Sequence, residues 1–431
     1  VNRTLEFSKN QSLAMARSMA DLPGKLPKSV NKSGDLETCN SAWWVSGFFP
    51  GQLWYLYEYS NDDSLKKWAE LYTERVEDQQ YTTDNHDVGF MIFCSFGNGY
   101  RIAGNEKYLS VIHNAANSLS TRFNPTIGCI RSWDRATWNN KWQYAVIIDN
   151  MMNLELLEWS SKKFSETRFS DIAVSHANTT LKNHFRPDGS SYHVVSYDTI
   201  TGKPEVKQTA QGYSNESAWA RGQAWGLYGF TMMYRETGDS VYLKQATKIA
   251  GFIIDHPNLP EDKIPYWDFN APDIPNAKRD VSAGAIICSA LLELQKYVDK
   301  ELSRKYMEVA KKQLEVLCSD AYLAAPGTNA NFLLKHGVGN MPNGTEIDVP
   351  LSYADYYFVE GLNWTDLTSA RFNARYSPVG FVFDVAGPSG FGNNIYELLG
   401  IINSNLSQFF LNLINPTIHV TGGDLARLPI P

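Results

Sequence analysis

Three short turns, repeated along the chain, restrict its fold more than any other feature. The first runs from Leu56 through Asn61 and Asp62 to Leu65, the second from Tyr100 through Asn105 to Leu109, and the third from Tyr234 through Asp239 to Leu243. Each ends an apolar stretch at a small residue or Gly, continues with Asn or Asp, and resumes at Leu. Gly104 and Gly238 suit the left-handed conformation that closes a helix, because Gly meets no Cβ penalty at positive φ. The Asn or Asp suits the next N-cap, where a side-chain oxygen accepts from free backbone N–H groups. Each copy therefore reads as a tight turn between two helices.

The flanking segments have helical period. Apolar residues fall at Tyr108, Leu109, Ile112, Ala115, Ala116 and Leu119, and again at Tyr242, Leu243, Ala246, Ile249, Ala250 and Ile253. Spacings of three, four and seven put one apolar face on each helix. Tyr306, Val309, Ala310, Leu314 and Leu317 predict another. The first two turns lie 44 positions apart and the third 134 further on, roughly three such units. A recurring pair of helices predicts a closed or solenoidal array of helix hairpins. The short Trp-, Asp- and Asn-rich loops between helices, such as 131–134 and 266–268, are natural places for a site.

Composition excludes several classes. At 43% hydrophobic and 20% charged, the chain is an ordinary globular protein. A net charge of −7 argues against a nucleic-acid surface. No apolar run reaches the ~18 residues of a membrane span. The five Cys form no CxxC pair; Cys94 and Cys288 lie in apolar runs and read as buried thiols, with neither a disulfide framework nor a zinc site. No cleavable leader pattern opens the chain, which leaves a cytoplasmic protein or a mature periplasmic or secreted form. Twelve Trp and 23 Tyr either fill a core or line a groove that stacks on sugar rings.

Three constellations could carry chemistry. His86-Asp87 precedes Gly89 and an apolar stretch, so Asp87 is either a helix cap or a functional acid. Asp149 stands in the apolar segment 147–154, where a carboxylate is costly unless bonded or functional. Desolvation would raise its pKa, as a general acid near neutral pH requires; the alternative is a cap facing solvent. The block from Gln211 to Gly226 is the densest polar and aromatic cluster. If it is helical from about Ser217, Arg221 and Trp225 share a face. Arg221 offers a fork of donors for a carboxylate, or pairs with a nearby acid. His193 follows a turn. HExxH, P-loop, GxSxG and GxGxxG motifs are absent, and acids with His, Gln, Arg and Trp on helix-end loops point to sugar chemistry.

Together, Trp44 to Gly51, His86-Asp87, Asp149-Asn150, Tyr192-His193, the Gln211 to Gly226 block and Tyr353 to Tyr357 resemble the unsaturated glucuronyl hydrolases, glycoside hydrolase family 88, over about residues 35–362. The resemblance implies an all-α fold, an (α/α)6 barrel or six-hairpin toroid. It implies an oligosaccharide substrate with a 4,5-unsaturated uronic acid at its non-reducing end, and hydration of the vinyl ether. Asp149 would be the general acid and base, and Asp87 its partner. His86, His193, Gln211 and Arg221 would hold hydroxyls and the uronate; Trp44, Trp219 and Trp225 would stack, with Tyr353 also in the site. No metal or organic cofactor is implied, no membrane, and a monomer or homodimer. A Ser-x-x-Ser-Gly-Lys-like loop of members acting on sulfated sugars is replaced by Lys335 to Gly344. Alternatives are an unsaturated rhamnogalacturonyl hydrolase of the same fold, disfavoured by the retained His86-Asp87 pair, and a non-catalytic sugar-binding toroid.

Composition shifts after residue 362. Residues 1–362 are expected to form the hydrolase domain. Residues 363–431, with an apolar helix predicted over 396–414, form a short unrelated C-terminal extension. Its Ala374 to Phe381, Leu399 to Ser404 and Gly423 to Pro431 segments resemble a C-terminal fragment of phage-defence and type II restriction adenine methyltransferases. That family's catalytic Asn-Pro-Pro-aromatic motif is absent, so the tail reads as a fusion fragment without activity of its own.

Overall fold

The computed structural model describes residues 2–134 and 142–363, together with backbone strands at 374–377 and 380–383. The helix predicted over 396–414 lies outside the described residues. Twelve α-helices run through the described residues: α1 (Asn2–Ser18), α2 (Phe48–Ser60), α3 (Asp63–Glu74), α4 (Asn98–Ala103), α5 (Tyr108–Ser120), α6 (Leu154–Phe164), α7 (Thr167–Asn183), α8 (Ala220–Thr237), α9 (Ser240–Asp255), α10 (Val281–Leu294), α11 (Lys300–Leu317) and α12 (Ser352–Asn363). A π-helix, Gly89–Gly97, leads into α4, and a 3-10 helix, Ile148–Asn153, leads into α6.

The even-numbered helices make an inner ring. α2 packs on the π-helix and α4, the π-helix on α6, α6 on α8, α8 on α10, α10 on α12, and α12 back on α2. The odd-numbered helices α3, α5, α7, α9 and α11 each pack outside the preceding inner helix. α1 lies beside α2 and α3, where Gln52 Nε2 donates to Ser12 Oγ at 2.7 Å and the Tyr72 hydroxyl to the Ala16 carbonyl at 2.8 Å. This is an (α/α)6 barrel.

The sequence explains which helices go inside. Every residue of α10 is buried, as are Ala220 to Met233 of α8 and Ser352 to Leu362 of α12. A helix buried all round must be apolar or small all round, and α10 carries a single charged residue, Glu293. By contrast α11 buries one stripe, Tyr306, Val309, Ala310, Gln313, Leu314 and Leu317, and keeps its lysines outside. One buried acid inside the ring is fully engaged. Glu360 of α12 accepts from the hydroxyls of Tyr55 (2.7 Å, α2), Tyr228 (3.0 Å, α8) and Ser289 (2.5 Å, α10), which ties four inner helices together.

The repeated turns close as the pattern requires at two of three places. Asn61, Gly104 and Gly238 all take the left-handed conformation. Asp62 and Asp239 cap α3 and α9 through Ser64 N and Val241 N. Asn105 does not cap α5, which starts three residues later. Its side chain accepts from Lys107 N at 3.2 Å and its carbonyl from Tyr108 N at 3.0 Å, adding a turn before the helix. All five Cys are free thiols, with Cys288 buried and Cys94 only partly so.

Short antiparallel strands decorate the loops: β1 (Leu26–Val30) with β2 (Leu36–Cys39), β3 (Phe123–Asn124) with β4 (Cys129–Ile130), the sheet β5 (Ala145–Ile147)–β6 (Val194–Tyr197)–β7 (Pro204–Gln208), and β8 (Gly337–Asn340) with β9 (Thr345–Val349). The residues Leu5–Trp364 form one compact unit. A second unit comprises Val1–Thr4 and Thr365–Pro431, and contains the hairpin β10 (Ala374–Ser377)–β11 (Gly380–Phe383).

Gly47, just before α2, sits where a Cβ would collide with the Phe90 and Met91 carbonyls of the π-helix. Backbone cannot yield as a side chain can. Gly47→Ala is expected to destabilise the fold by about 1–3 kcal/mol. Urea unfolding checks this, and an unchanged midpoint would contradict the close approach.

Candidate active site

Strand register assembles the centre of the site. β5 and β6 pair Ile147 with Val194, and the Ile148 N–H donates to the His193 carbonyl at 3.0 Å. The chain leaves β5 through Asp149 just where it enters β6 from His193. Their side chains then face each other, with His193 Nε2 3.7 Å from Asp149 Oδ2. His193 Nδ1 accepts from the N–H groups of Ala210 (3.1 Å) and Gln211 (3.2 Å), so the ring hydrogen belongs on Nε2, pointing at Asp149.

The second acid arrives from the other side. Asn153 Oδ1 accepts from Phe90 N at 2.9 Å, which fastens the π-helix to the 3-10 helix that carries Asp149. Ser132 fastens His86 to β5: its Oγ accepts from Ile147 N at 2.9 Å and lies 3.3 Å from His86 Nδ1. His86 Nε2 is 3.4 Å from Asp87 Oδ1. Asp87 does not cap a helix. The following turn is π-helical, with Val88 at its entry, and only the Asp87 backbone carbonyl joins it, accepting from Met91 N at 2.9 Å. π-turns of this kind frequently occur at functional sites.

Electrostatics follow from burial. The Asp149 carboxyl is pushed up to about 7 by desolvation, against the pull of Arg221, its own backbone hydrogen bond and the Trp225 indole. Asp87 is pushed up to about 8, by desolvation first and then by the Asp149 charge, against Arg122. Two carboxyls coupled in this way titrate as a pair, and near neutrality the pair retains a proton. His86 is held down to about 3, and His193 well below its ordinary value, mainly by burial; both are neutral imidazoles.

The Gln211 to Gly226 block forms the opposite wall. Asp268 Oδ2 accepts from Tyr213 N (2.9 Å) and Ser217 Oγ (2.7 Å), and Oδ1 from Asn270 N (2.8 Å), which folds the loop ahead of α8. Arg221 is fully buried. Nη1 donates to Asp280 Oδ2 (3.1 Å) and the Val338 carbonyl (2.6 Å), and Nη2 to the Gly339 carbonyl (2.6 Å). Gln211 Nε2 reaches the same Gly339 carbonyl at 3.2 Å.

This geometry decides between the two readings of Arg221 and corrects the stacking role expected of Trp225. The Arg221 fork is committed to Asp280 and β8, leaving only Nε without a protein partner. Trp225 is 0% exposed and has no face for a sugar. Its ring packs on Phe90 and Tyr357, and its N–H lies toward Asp149 without closing a hydrogen bond of normal geometry. Trp219 is buried against His193, with centroids 4.4 Å apart, and under Arg221 at 4.5 Å. Tyr353 packs on Trp44 at 4.8 Å, and Trp44 is partly exposed. Lys335 Nζ donates to the Asp320 carbonyl and His336 bonds Asp348, so neither points to an anion site. Trp133, in one of the two loops the sequence marks as a place for a site, is partly exposed between Trp142 (5.7 Å, stacked) and His193 (6.4 Å, edge-on), and Asp268 lies in the other; sequence reasoning did not single out Asn153 and Asp280. The flanking segment 135–141 lies outside the described residues. Among the described residues no cluster of His, Cys, Asp and Glu could hold a metal ion, and no helix is long and apolar enough to cross a membrane.

Comparison with known proteins bears on this arrangement. Glycosyl Hydrolase Family 88 matches residues 17–369. Over 320 residues the chain is 48% identical to the unsaturated glucuronyl hydrolase of Formosa agariphila, covering 74% of this chain and 79% of that protein. The crystal structure of an unsaturated glucuronyl hydrolase specific for heparin superposes with a TM-score of 0.80 at 48% identity, covering 84% of this chain and 96% of its own. Separately, 76 residues of the C-terminal part are 42% identical to an adenine-specific methyltransferase of Lacticaseibacillus casei, 17% of this chain and 6% of that protein. Family match, barrel and identity along most of the chain agree: the chain belongs to glycoside hydrolase family 88.

Proposed function

We infer that this glycoside hydrolase removes the 4,5-unsaturated uronic acid from the non-reducing end of lyase-generated oligosaccharides by hydrating its vinyl ether. The observation that carries the reading is a buried carboxyl, Asp149, whose titration is pushed up to about 7 and whose Oδ2 has no protein partner. Around it, His193 Nε2, Trp225 Nε1, Arg221 Nε and the Tyr353 hydroxyl are also buried without partners, a set of donors suited to a polyhydroxylated anion. Asp149 protonates C4 of the double bond, and the ring oxygen stabilises the positive charge at C5. Water adds at C5 and returns its proton to Asp149. The hemiketal opens and releases the next sugar. One residue serves as acid and then base, so two carboxylates at glycosidase spacing are not needed.

Asp87 keeps a proton on the pair by like-charge coupling. The neutral His86 and His193, Gln211 and the remaining Arg221 N–H hold hydroxyls and the uronate, while the partly exposed Trp44 lines the ring and Trp219 backs His193. We further read residues 1–362 as the hydrolase domain and 363–431 as a separate piece. The separate compact unit and the methyltransferase-like stretch support this. A chain shortened to 1–362 that keeps its rate would agree, and one that cannot fold would make the tail part of the barrel.

The test is loss of the ultraviolet absorbance of the conjugated uronate on a panel of glucuronyl and rhamnogalacturonyl lyase products. Activity on the glucuronyl members supports the reading; inactivity of folded protein on all members sinks it. Asp87→Asn is expected to move the alkaline limb of kcat/KM down by about one pH unit, because the pair no longer shares a proton. An unmoved limb would disconnect Asp87 from Asp149.

A further inference from the structure

The Arg221 guanidinium is 1% exposed and its partner Asp280 is 0% exposed. Such a pair is expensive to bury and gives little net stability over apolar replacements, so its placement calls for a reason. Asp280 uses both oxygens. Oδ1 caps α10 through Ser282 N (3.0 Å) and Ser282 Oγ (2.6 Å) and takes Val338 N (3.3 Å), while Oδ2 takes Arg221 Nη1 (3.1 Å). Arg221 in turn donates to two successive β8 carbonyls, Val338 and Gly339. Gly339 is the point where Gln211 also attaches. A Cβ at Gly339 would collide with the Glu346 carboxylate of β9, so the hairpin is packed closely around this tether.

We propose that the buried Arg221–Asp280 pair is a positioning device for the hydrolytic reaction: it hangs β8, and through Gly339 the Gln211 side chain, on the wall of the site, and holds one positive charge behind Asp149. The inference rests on Asp149 being the general acid. The charge reaches the site. Arg221 lowers the pKa of Asp149 and of His193, and it acts on Tyr353 with a sign opposite to that of Asp280. Other charges face the same groups and set the background. Asp87 lies at the entry to the π-helix, Arg122 acts on it from between α5 and β3, and Glu346 acts on Arg221 from β9. His86 is neutral. Of these, Glu346 feels the Arg221 charge directly and shifts with it, whereas Asp87 and His86 are set by burial and by charges other than this pair.

The tuning role makes a prediction of sign that loose packing does not. Arg221→Gln removes the positive charge and moves the alkaline limb of kcat/KM up by about one pH unit. Asp280→Asn leaves Arg221 uncompensated and moves the limb down by a smaller amount, about half a unit. The double variant brings the limb back toward its original place. KM rises in all three as Gln211 loses its anchor. A carbon-13 titration of the Asp149 carboxyl in the ligand-free proteins, assigned with Asp149→Asn, reads the same shifts without turnover. It therefore stands or falls separately from the assigned reaction. Arg221→Lys keeps the charge and serves if Arg221→Gln fails to fold; its limb stays in place. Opposite shifts in the two single variants establish the device. Shifts of the same sign, or none in the carbon-13 titration, overturn it.

Discussion

Asp149→Asn is expected to lose hydrolysis by at least about 10³-fold while gaining stability at alkaline pH. The loss follows from the proton it carries. An amide cannot protonate C4, and His193 cannot replace the acid, because it is a neutral imidazole well below its ordinary pKa. The gain follows from the cost of burying a carboxylate. Burial raises the folded-state value from 3.8 to about 7. Between those values the folded protein retains a proton that the unfolded chain has released, so stability falls as pH rises through the window. A carboxyl with a depressed pKa would give the reverse slope. With Asn at 149 the penalty disappears, which is worth on the order of 2–4 kcal/mol above pH 7, shared with Asp87 because the two titrate together. Thermal unfolding at pH 8 is expected to show a higher Tm for the variant, and at pH 4 the two proteins converge. A variant that is inactive and also less stable at pH 8 would mean that Asp149 is held as a structural carboxylate.

The barrel was legible because its signals are local. Gly104 and Gly238 announce helix ends by conformational freedom, and Asp62 and Asp239 announce helix starts by side-chain acceptors, each within a few residues. Asn105 was misread because Asn serves a turn as readily as a cap. Asp149 stood out because a lone acid in an apolar segment has few cheap explanations. What the sequence could not display was contact across long separations. Trp225 looked like a stacking platform because residue type reveals size and not exposure; only closure of the inner ring buries it under Phe90 and Tyr357. The Arg221 fork looked available to a uronate because its competitors, Asp280 and the β8 carbonyls, lie 59 or more positions away. The π-helix likewise depends on a tertiary cap from Asn153, 63 positions on.

The loop that carries Asp268 was marked as a place for a site, but the partners of its carboxylate were not legible, and its replacement should have the second large effect. Asp268 is 0% exposed, and its carboxylate accepts three hydrogen bonds: from Tyr213 N and Ser217 Oγ on Oδ2, and from Asn270 N on Oδ1. Burial raises its pKa while these donors pull it back. An amide has one acceptor oxygen and one donor nitrogen. In Asp268→Asn the oxygen can satisfy Tyr213 and Ser217, but the NH2 group then meets the Asn270 N–H, donor against donor. Turning the amide over spares Asn270 and lets the Ser217 hydroxyl donate to the Ser214 carbonyl instead, but leaves the Tyr213 N–H facing a donor. Either way a buried group goes unsatisfied, at about 2–3 kcal/mol. The damage is directed at catalysis, because the loop fixed by Asp268 carries Gln211 and sets Trp219 at the start of α8. The expected outcome is a loss of kcat/KM of about 10²-fold, since misplacement of positioning groups by an ångström costs that much. It should be accompanied by a lowered urea midpoint. Raising KM while leaving the alkaline limb in place would mark a positional effect. Full activity with a lowered midpoint would show that the loop holds its shape by backbone bonds alone, and that Asp268 serves stability and nothing else.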